Sequence, residues 1–165
     1  MATGPGFGNP SGTRLEPKAR FHERLAETMR AMVDREHAHD AAMREYLAAA
    51  LEELARMPEP EMCCPVMVDL GPGLFLAEGG KITALVDAEA YVLAPRELDF
   101  IGLEYELDER AARPFLEGDS SVLDAPELSR CRTAYRFFYR LMGVKGSVDV
   151  RRWMARPALF KGRGC

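Results

Sequence analysis

Cysteine motifs and long apolar runs are scarce in this 165-residue sequence, and each scarcity excludes a class of protein. The four cysteines (Cys63, Cys64, Cys131 and Cys165) form no C-x-x-C pair, so zinc ribbons and thioredoxin-type redox sites have no support. No apolar stretch approaches the roughly 20 residues of a membrane span, and residues 1–20 lack the apolar run of a signal peptide. We therefore expect a reduced, cytoplasmic protein without a membrane partner.

An excess of positive charge is also missing. Lys plus Arg is 22 against 26 for Asp plus Glu, a net charge of −4, so nucleic-acid binding is not expected. The charge is segregated, however: residues 96–125 carry nine acidic and three basic side chains, and residues 126–165 carry ten basic and two acidic. A solvated, mutually complementary pair of helices explains this pattern, and a substrate or partner surface is the alternative.

The composition is that of one globular domain, with 47% hydrophobic and 29% charged residues. Residues 1–14 are rich in Gly and Pro, which predicts a flexible tail, and residues 161–165 form a second short tail. Between these tails, apolar residues recur at steps of three and four, the spacing of amphipathic helices. Asp40 is a candidate N-cap of the second helix. The predicted helices cover residues 15–38, 41–56, 96–107, 108–115, 126–142 and 148–156.

The middle of the chain has the pattern of β-strands rather than of helices. Apolar residues 74–77 and 81–86 flank Glu78-Gly79-Gly80, which predicts a β-hairpin. Asp69 follows the short apolar run 66–68, and Asp87 follows the second hairpin strand. Two such carboxylates suit one pocket, where one takes a proton from a hydroxyl and the other holds a divalent cation. The competing interpretation is that each aspartate only caps a turn.

Three segments in this order carry a resemblance to a known family: residues 69–76 (DLGPGLFL), 81–89 (KITALVDAE) and 95–99 (PRELD). Together they resemble the C-terminal lobe of the aminoglycoside phosphotransferase and choline-kinase-like family, which has a protein-kinase-like fold. The motifs cover about residues 60–110, and the order of helices and hairpin extends the likeness over most of 20–160. The resemblance implies an α+β, mostly helical lobe over residues 15–160, with one β-hairpin at the site.

The resemblance also implies roles for four acidic residues. Asp69 takes the position of the catalytic base, Asp87 that of the magnesium ligand, and Asp99 that of the aspartate that steadies the catalytic loop. Glu89 is a second candidate metal ligand. The implied reaction is in-line transfer of the γ-phosphoryl group of ATP, with Mg²⁺, to a small hydroxylated substrate. The acidic run 97–109 suits a cationic, aminoglycoside-like substrate.

The sequence departs from the family pattern at three site positions and in its first sixty residues. Met67 replaces the motif histidine, Leu74 replaces the metal-binding asparagine, and Ala88 is small where the family often has a larger residue. A thioether cannot make the hydrogen bonds of an imidazole, and an isobutyl group cannot bind Mg²⁺. Residues 1–60 show no strand pattern, no strand-flanked glycine loop and no lysine strand, so the nucleotide-binding N-lobe is missing.

Two functions follow from these departures. The first is a truncated or degenerate lobe without kinase activity, which needs no cofactor and binds a protein, or a second copy of itself, through the apolar former active-site cleft. Natural decay, truncation and redesign all remain open as its origin. The second is a phosphotransferase that uses ATP and Mg²⁺ and is completed by an N-lobe from another chain.

Overall fold

The computed structural model describes residues 6–8, 15–86, 91–121, 124–143, 146 and 148–161, and its fold is α+β and mostly helical. The helices in the described ranges are α1 (Phe21–Glu36), α2 (Ala41–Arg56), α3 (Glu97–Glu106), α4 (Glu109–Ser120), α5 (Arg132–Met142) and α6 (Val150–Met154). The strands are β1 (Gly6–Phe7), β2 (Glu16–Pro17), β3 (Cys64–Val66), β4 (Phe75–Glu78), β5 (Lys81–Leu85) and β6 (Val92–Ala94).

The first two helices show how local sequence decides some boundaries. Helix α2 has the predicted bounds, because the Asp40 side chain accepts hydrogen bonds from the backbone N–H groups of Ala42 (2.9 Å) and Met43 (3.1 Å). Helix α1 begins at Phe21 rather than residue 15, since Glu16–Pro17 forms β2 and residues 18–20 form a 3₁₀ turn. The buried side of α1, which packs in the core, consists of Phe21, Leu25, Met29 and Val33.

The C-terminal helices differ from prediction mainly at their ends. Asp108 caps α4, accepting the Ala111 N–H at 2.8 Å, and the helix continues past the predicted end at residue 115 to Ser120. Helix α5 begins six residues later than predicted, because residues 126–128 are irregular and residues 129–131 form a turn. The Glu127 carboxylate accepts the Ser129 N–H at 2.7 Å. Helix α6 is shorter than predicted at both ends.

A small sheet runs through the middle of the fold. Strand β3 pairs antiparallel with β6, which the sequence analysis did not predict. The opposite edge of β6 is bridged by Gly8, whose N–H and C=O bond to Leu93 at 2.9 and 2.8 Å. Phe7 lies edge-on against Phe21, with ring centroids 5.2 Å apart. Residues 6–8 of the predicted tail are therefore packed, because the pairing with β6 and the contact of Phe7 with Phe21 offset the flexibility of the glycines.

The predicted hairpin is confirmed. Its turn, Gly79-Gly80, has φ values of 57° and 77°, the left-handed region that a two-residue hairpin turn requires. Strand β4 pairs with β5 in the register Phe75↔Leu85 and Ala77↔Ile82, with an irregularity between Leu76 and Ala77. Every residue of both strands is exposed, so the hairpin lies outside the core.

The segregated charges meet inside the protein. Glu104 on α3 is 1% exposed and accepts a hydrogen bond from Arg136 Nη2 on α5 at 2.7 Å. Arg132 Nη2 lies 3.3 Å from the other carboxylate oxygen. The two regions are thus complementary, as one interpretation held, but the pair is buried rather than solvated.

Candidate functional site

The segment between β3 and the hairpin carries Asp69. The Leu70 N–H donates to the Met67 carbonyl at 3.0 Å, and the Leu74 N–H donates to the Gly71 carbonyl at 3.1 Å. These two turns fold residues 67–74, here named the Asp69 loop, and leave the Asp69 side chain exposed. The Val86 N–H donates to the Leu74 carbonyl at 2.8 Å, which fixes the end of the loop to the end of the second hairpin strand.

Asp99 connects this loop to helix α3. It lies in the first turn of α3, and its Oδ1 accepts the backbone N–H of Met67 at 2.9 Å. Burial raises the pKa of Asp99 to about 7, and the Met67 N–H opposes that rise because it favours the ionised carboxylate. The residue assigned a loop-steadying role from the resemblance therefore contacts the Asp69 loop, two residues before Asp69.

Tyr139 is a neighbour of this site that sequence reasoning missed. Burial raises the pKa of its phenol, and the negative charges of Asp99 and Asp69 raise it further. Among the described residues, no hydrogen-bond partner reaches its hydroxyl. A Cβ at Gly102 would lie 2.8 Å from that oxygen, so the helix-interior glycine permits the close packing. Gly102 inside a helical pattern was the available sequence signal.

The other residues assigned to the site fall into two groups. Asp87, Ala88 and Glu89 lie outside the described residues, so the predicted convergence of Asp69 and Asp87 is not tested. Met67 and Leu74 are both half-buried in the Asp69 loop. Within the described ranges there is no group of three or more His, Cys, Asp or Glu side chains arranged to hold a metal ion, and the Leu74 side chain offers none of the oxygen ligands that Mg²⁺ requires.

One side of the hairpin forms an apolar surface. Directly paired residues share a face of an antiparallel ribbon, and so do residues two apart on one strand. Phe75 and Ala77 lie two apart on β4 and pair with Leu85 and Ile82, because the register skips Thr83 at the irregularity. These four apolar residues, here named the hairpin face, therefore point the same way. Their larger members are unusually open to solvent: Phe75 is 37%, Leu85 45% and Ile82 69% exposed. Exposed apolar patches of this kind mark interaction surfaces.

A separate cleft of about 360 Å³ lies away from the Asp69 loop. It is lined by the segment that follows α2, by the start of α3 and by the approach to α5, and no residue of 67–86 contributes to it. Its walls combine apolar side chains such as Met57 and Tyr135 with carboxylates such as Glu97 and with two arginines. Because this cleft carries charges of both signs, its lining does not favour either an anionic or a cationic ligand.

Comparisons with protein-family models, with curated proteins and with solved structures find no match for this chain. Among the described helices, none combines the length and the apolar character needed to cross a membrane. The site is therefore interpreted from its own residues.

Proposed function

We propose that this chain is a phosphotransferase-like C-terminal lobe that has lost its chemistry and binds another protein chain through the hairpin face. The observation that carries the proposal is the exposure of Phe75, Ile82 and Leu85 on one side of a ribbon next to the Asp69 loop. Burying one such side chain fully contributes about 1.5–3 kcal/mol, so a partner that covers all three gains several kcal/mol.

The order of elements supports the family part of this proposal. A strand (β3), the Asp69 loop, the hairpin, a second strand (β6) and a helix follow one another along the chain. This is the order of motif strand, catalytic loop, hairpin and Asp-bearing helix that the resemblance implies. The contact of Asp99 with the Met67 N–H, at 2.9 Å, agrees with the steadying role assigned to Asp99.

The side chains of the Asp69 loop support the loss of chemistry. Met67 and Leu74 occupy the positions at which the family has a hydrogen-bonding imidazole and a metal-binding amide. Both substitutes lack the required donor or oxygen ligand. They also make the site less polar and so extend the apolar character of the neighbouring hairpin.

The partner that fits this surface is a protein segment, or a second copy of the chain, with a complementary apolar face. An isolated two-stranded ribbon is only marginally stable in water, so covering one face also stabilises the hairpin itself. Association would therefore order the hairpin in addition to burying Ile82 and its neighbours.

Sedimentation velocity over a concentration series tests self-association, and fluorescence of the apolar dye ANS tests exposure of the hairpin face. We expect Ile82→Lys to weaken association at least tenfold and to reduce dye binding. The matched control is Met142→Lys, which adds the same charge at a 43% exposed apolar residue at the end of α5. A wild-type chain that stays monomeric and binds no dye, or equal effects of the two variants, would contradict the proposal.

The alternative function is phosphoryl transfer from Mg²⁺-ATP to a small hydroxylated substrate, with a separate chain supplying the N-lobe. Retention of Asp69, on a loop anchored to Asp99, is the observation that favours it. A coupled ADP-release assay with aminoglycosides as acceptors tests this function. Turnover that disappears in Asp69→Ala would establish it, and the absence of both turnover and Mg²⁺-nucleotide binding would end it.

A further inference from the structure

A second cleft, of about 470 Å³, lies at the C-terminal end of the fold. It is remote from the Asp69 loop in sequence and shares no lining residue with it. The residues that line it are Tyr105 at the end of α3, Val148, and Arg152, Trp153 and Arg156 in and after α6. Both charged members of this set are arginines, so the charge that lines the cleft has one sign.

The aromatic wall of this cleft is rigid. The rings of Tyr105 and Trp153 are stacked, with centroids 3.7 Å apart and planes within 12° of each other. Trp153 Nε1 donates to the Arg136 carbonyl at 2.7 Å, and the Tyr105 hydroxyl donates to the Trp153 carbonyl at 3.3 Å. Side chains fixed in this way lose little further freedom when a ligand binds against them.

Arg156 is held in place by the same wall. Its guanidinium carbon lies 4.9 Å from the centre of the Tyr105 ring, and its Nη1 donates to the Tyr105 carbonyl at 3.3 Å. A guanidinium has five N–H donors, and most of those on Arg156 have no acceptor among the described residues. The guanidinium of Arg156 is therefore held in position over the Tyr105 ring before an anion binds to it.

Arg152 is the second cation that lines the cleft. Its side chain is exposed and makes no hydrogen bond or ion pair with any residue in the described ranges. The neighbouring arginines differ: Arg151 lies 3.6 Å from the Glu45 carboxylate, and Arg136 binds Glu104 at 2.7 Å. Among the described residues no carboxylate lines the cleft, so Arg152 has no acidic partner there within that part of the chain.

We propose that this cleft binds the phosphate group of a small molecule, with Arg152 and Arg156 as its ligands. A phosphate monoester carries about −1.5 to −2 charges at pH 7, which matches two guanidinium groups. The planar guanidinium donates two parallel hydrogen bonds to such oxygens. The proposal is independent of the Asp69 loop and of the hairpin face.

Trp153 allows a direct test, because it is the only tryptophan of the chain and it lines the cleft. Its fluorescence is followed during titration with glycerol 3-phosphate, with inorganic phosphate, with glycerol and with sodium chloride, the salts being compared at equal ionic strength. The variant is Arg152→Gln, and the matched control is the adjacent Arg151→Gln, which removes the same charge from α6 outside the cleft.

We expect a saturable fluorescence change with glycerol 3-phosphate and none with glycerol. Arg152→Gln should weaken the binding at least tenfold, whereas Arg151→Gln should leave it within twofold of the wild type. If inorganic phosphate gives the same saturable fluorescence change, the cleft recognises the phosphate group alone. If only glycerol 3-phosphate gives it, the cleft recognises the phosphate monoester as a whole. Equal responses to phosphate and chloride, or equal effects of the two variants, would overturn the proposal.

Discussion

The backbone N–H of Met67 donates to Asp99 Oδ1 at 2.9 Å, across 32 residues of sequence. This bond joins the Asp69 loop to the first turn of α3. Burial raises the pKa of the Asp99 carboxyl group to about 7, close to the pH at which most proteins work. Its ionisation is therefore linked to the stability of the fold.

Asp99→Asn should make the protein more stable at pH 8 and should flatten its pH dependence. The pKa of Asp99 is raised in the folded state from the ordinary value of 3.8, so its contribution to stability is complete below about pH 4 and is lost as pH rises towards 7. Asparagine keeps the acceptor for the Met67 N–H without a charge. We expect a gain of about 2–4 kcal/mol at pH 8, measured by urea unfolding at pH 5 and pH 8.

The control for this experiment is Asp34→Asn, a change at an exposed residue on α1. It should shift the unfolding midpoint little at either pH. Parallel pH profiles for the wild type and Asp99→Asn would show that Asp99 does not control the pH dependence.

Gly102→Ala should destabilise the fold although alanine is the better helix former. The new Cβ would lie 2.8 Å from the Tyr139 hydroxyl and 3.0 Å from the ring carbon that bears it, so the buried ring must move. Overpacking of this kind costs about 1–3 kcal/mol, more than the ~1 kcal/mol gained in helix propensity. Thermal unfolding followed by circular dichroism measures the difference.

Gly118→Ala provides the matched comparison, because it is the same change inside helix α4 with nothing within 4 Å of the new carbon. This variant should be stabilised by up to about 1 kcal/mol. Combining Gly102→Ala with Tyr139→Phe should recover part of the loss, since the closest atom is then removed. Equal stabilities for the two alanine variants would disprove the close contact.

Glu104→Ala should destabilise the fold more than the loss of an exposed glutamate does, because Glu104 is buried. The Glu104 carboxylate accepts from Arg136 at 2.7 Å and from the backbone N–H groups of Leu159 (3.0 Å) and Phe160 (3.3 Å). Its removal leaves Arg136, 4% exposed, without its carboxylate partner. Breaking a buried pair in this way costs about 3–5 kcal/mol, measured by urea unfolding.

Glu52→Ala breaks an exposed pair on α2, in which Arg56 lies 3.2 Å from the carboxylate. The expected cost there is below about 1 kcal/mol, because solvent screens exposed pairs. If the two glutamate variants lose similar stability, the buried pair does not anchor the C-terminal segment.

Backbone amides of the hairpin should exchange with solvent faster than those that pair β3 with β6. The hairpin is two-stranded and exposed throughout, whereas β6 is bonded on both edges, to β3 and to Gly8. Hydrogen exchange followed by NMR measures the two sets in one experiment. A partner bound to the hairpin face would slow exchange in the hairpin selectively, and equal protection of both sets without a partner would contradict the exposed placement.

Local chemistry explains which parts of the fold could be predicted. The cap at Asp40 and the turn Gly79-Gly80 specify their structures through residues next to them in sequence, and both were placed correctly. Strand β6 has three residues, too few to show a period, and it is a strand only because β3 and Gly8 supply hydrogen bonds to it. The candidate site divides in the same way: Asp69 stands out in the sequence, but the proximity of Tyr139 does not.

By itself the sequence determined a mostly helical α+β chain, its strongest helix cap, its hairpin turn and the apolar side chains Met67 and Leu74 on either side of Asp69. Those features depend on residues within a few positions of one another. Only the tertiary structure decided that Glu104 and Arg136 meet in the core and that the hairpin face is left open, and it supplied the backbone contact between Met67 and Asp99. Each of these features depends on burial and on partners distant in sequence, and neither can be predicted from residues that are neighbours in the chain.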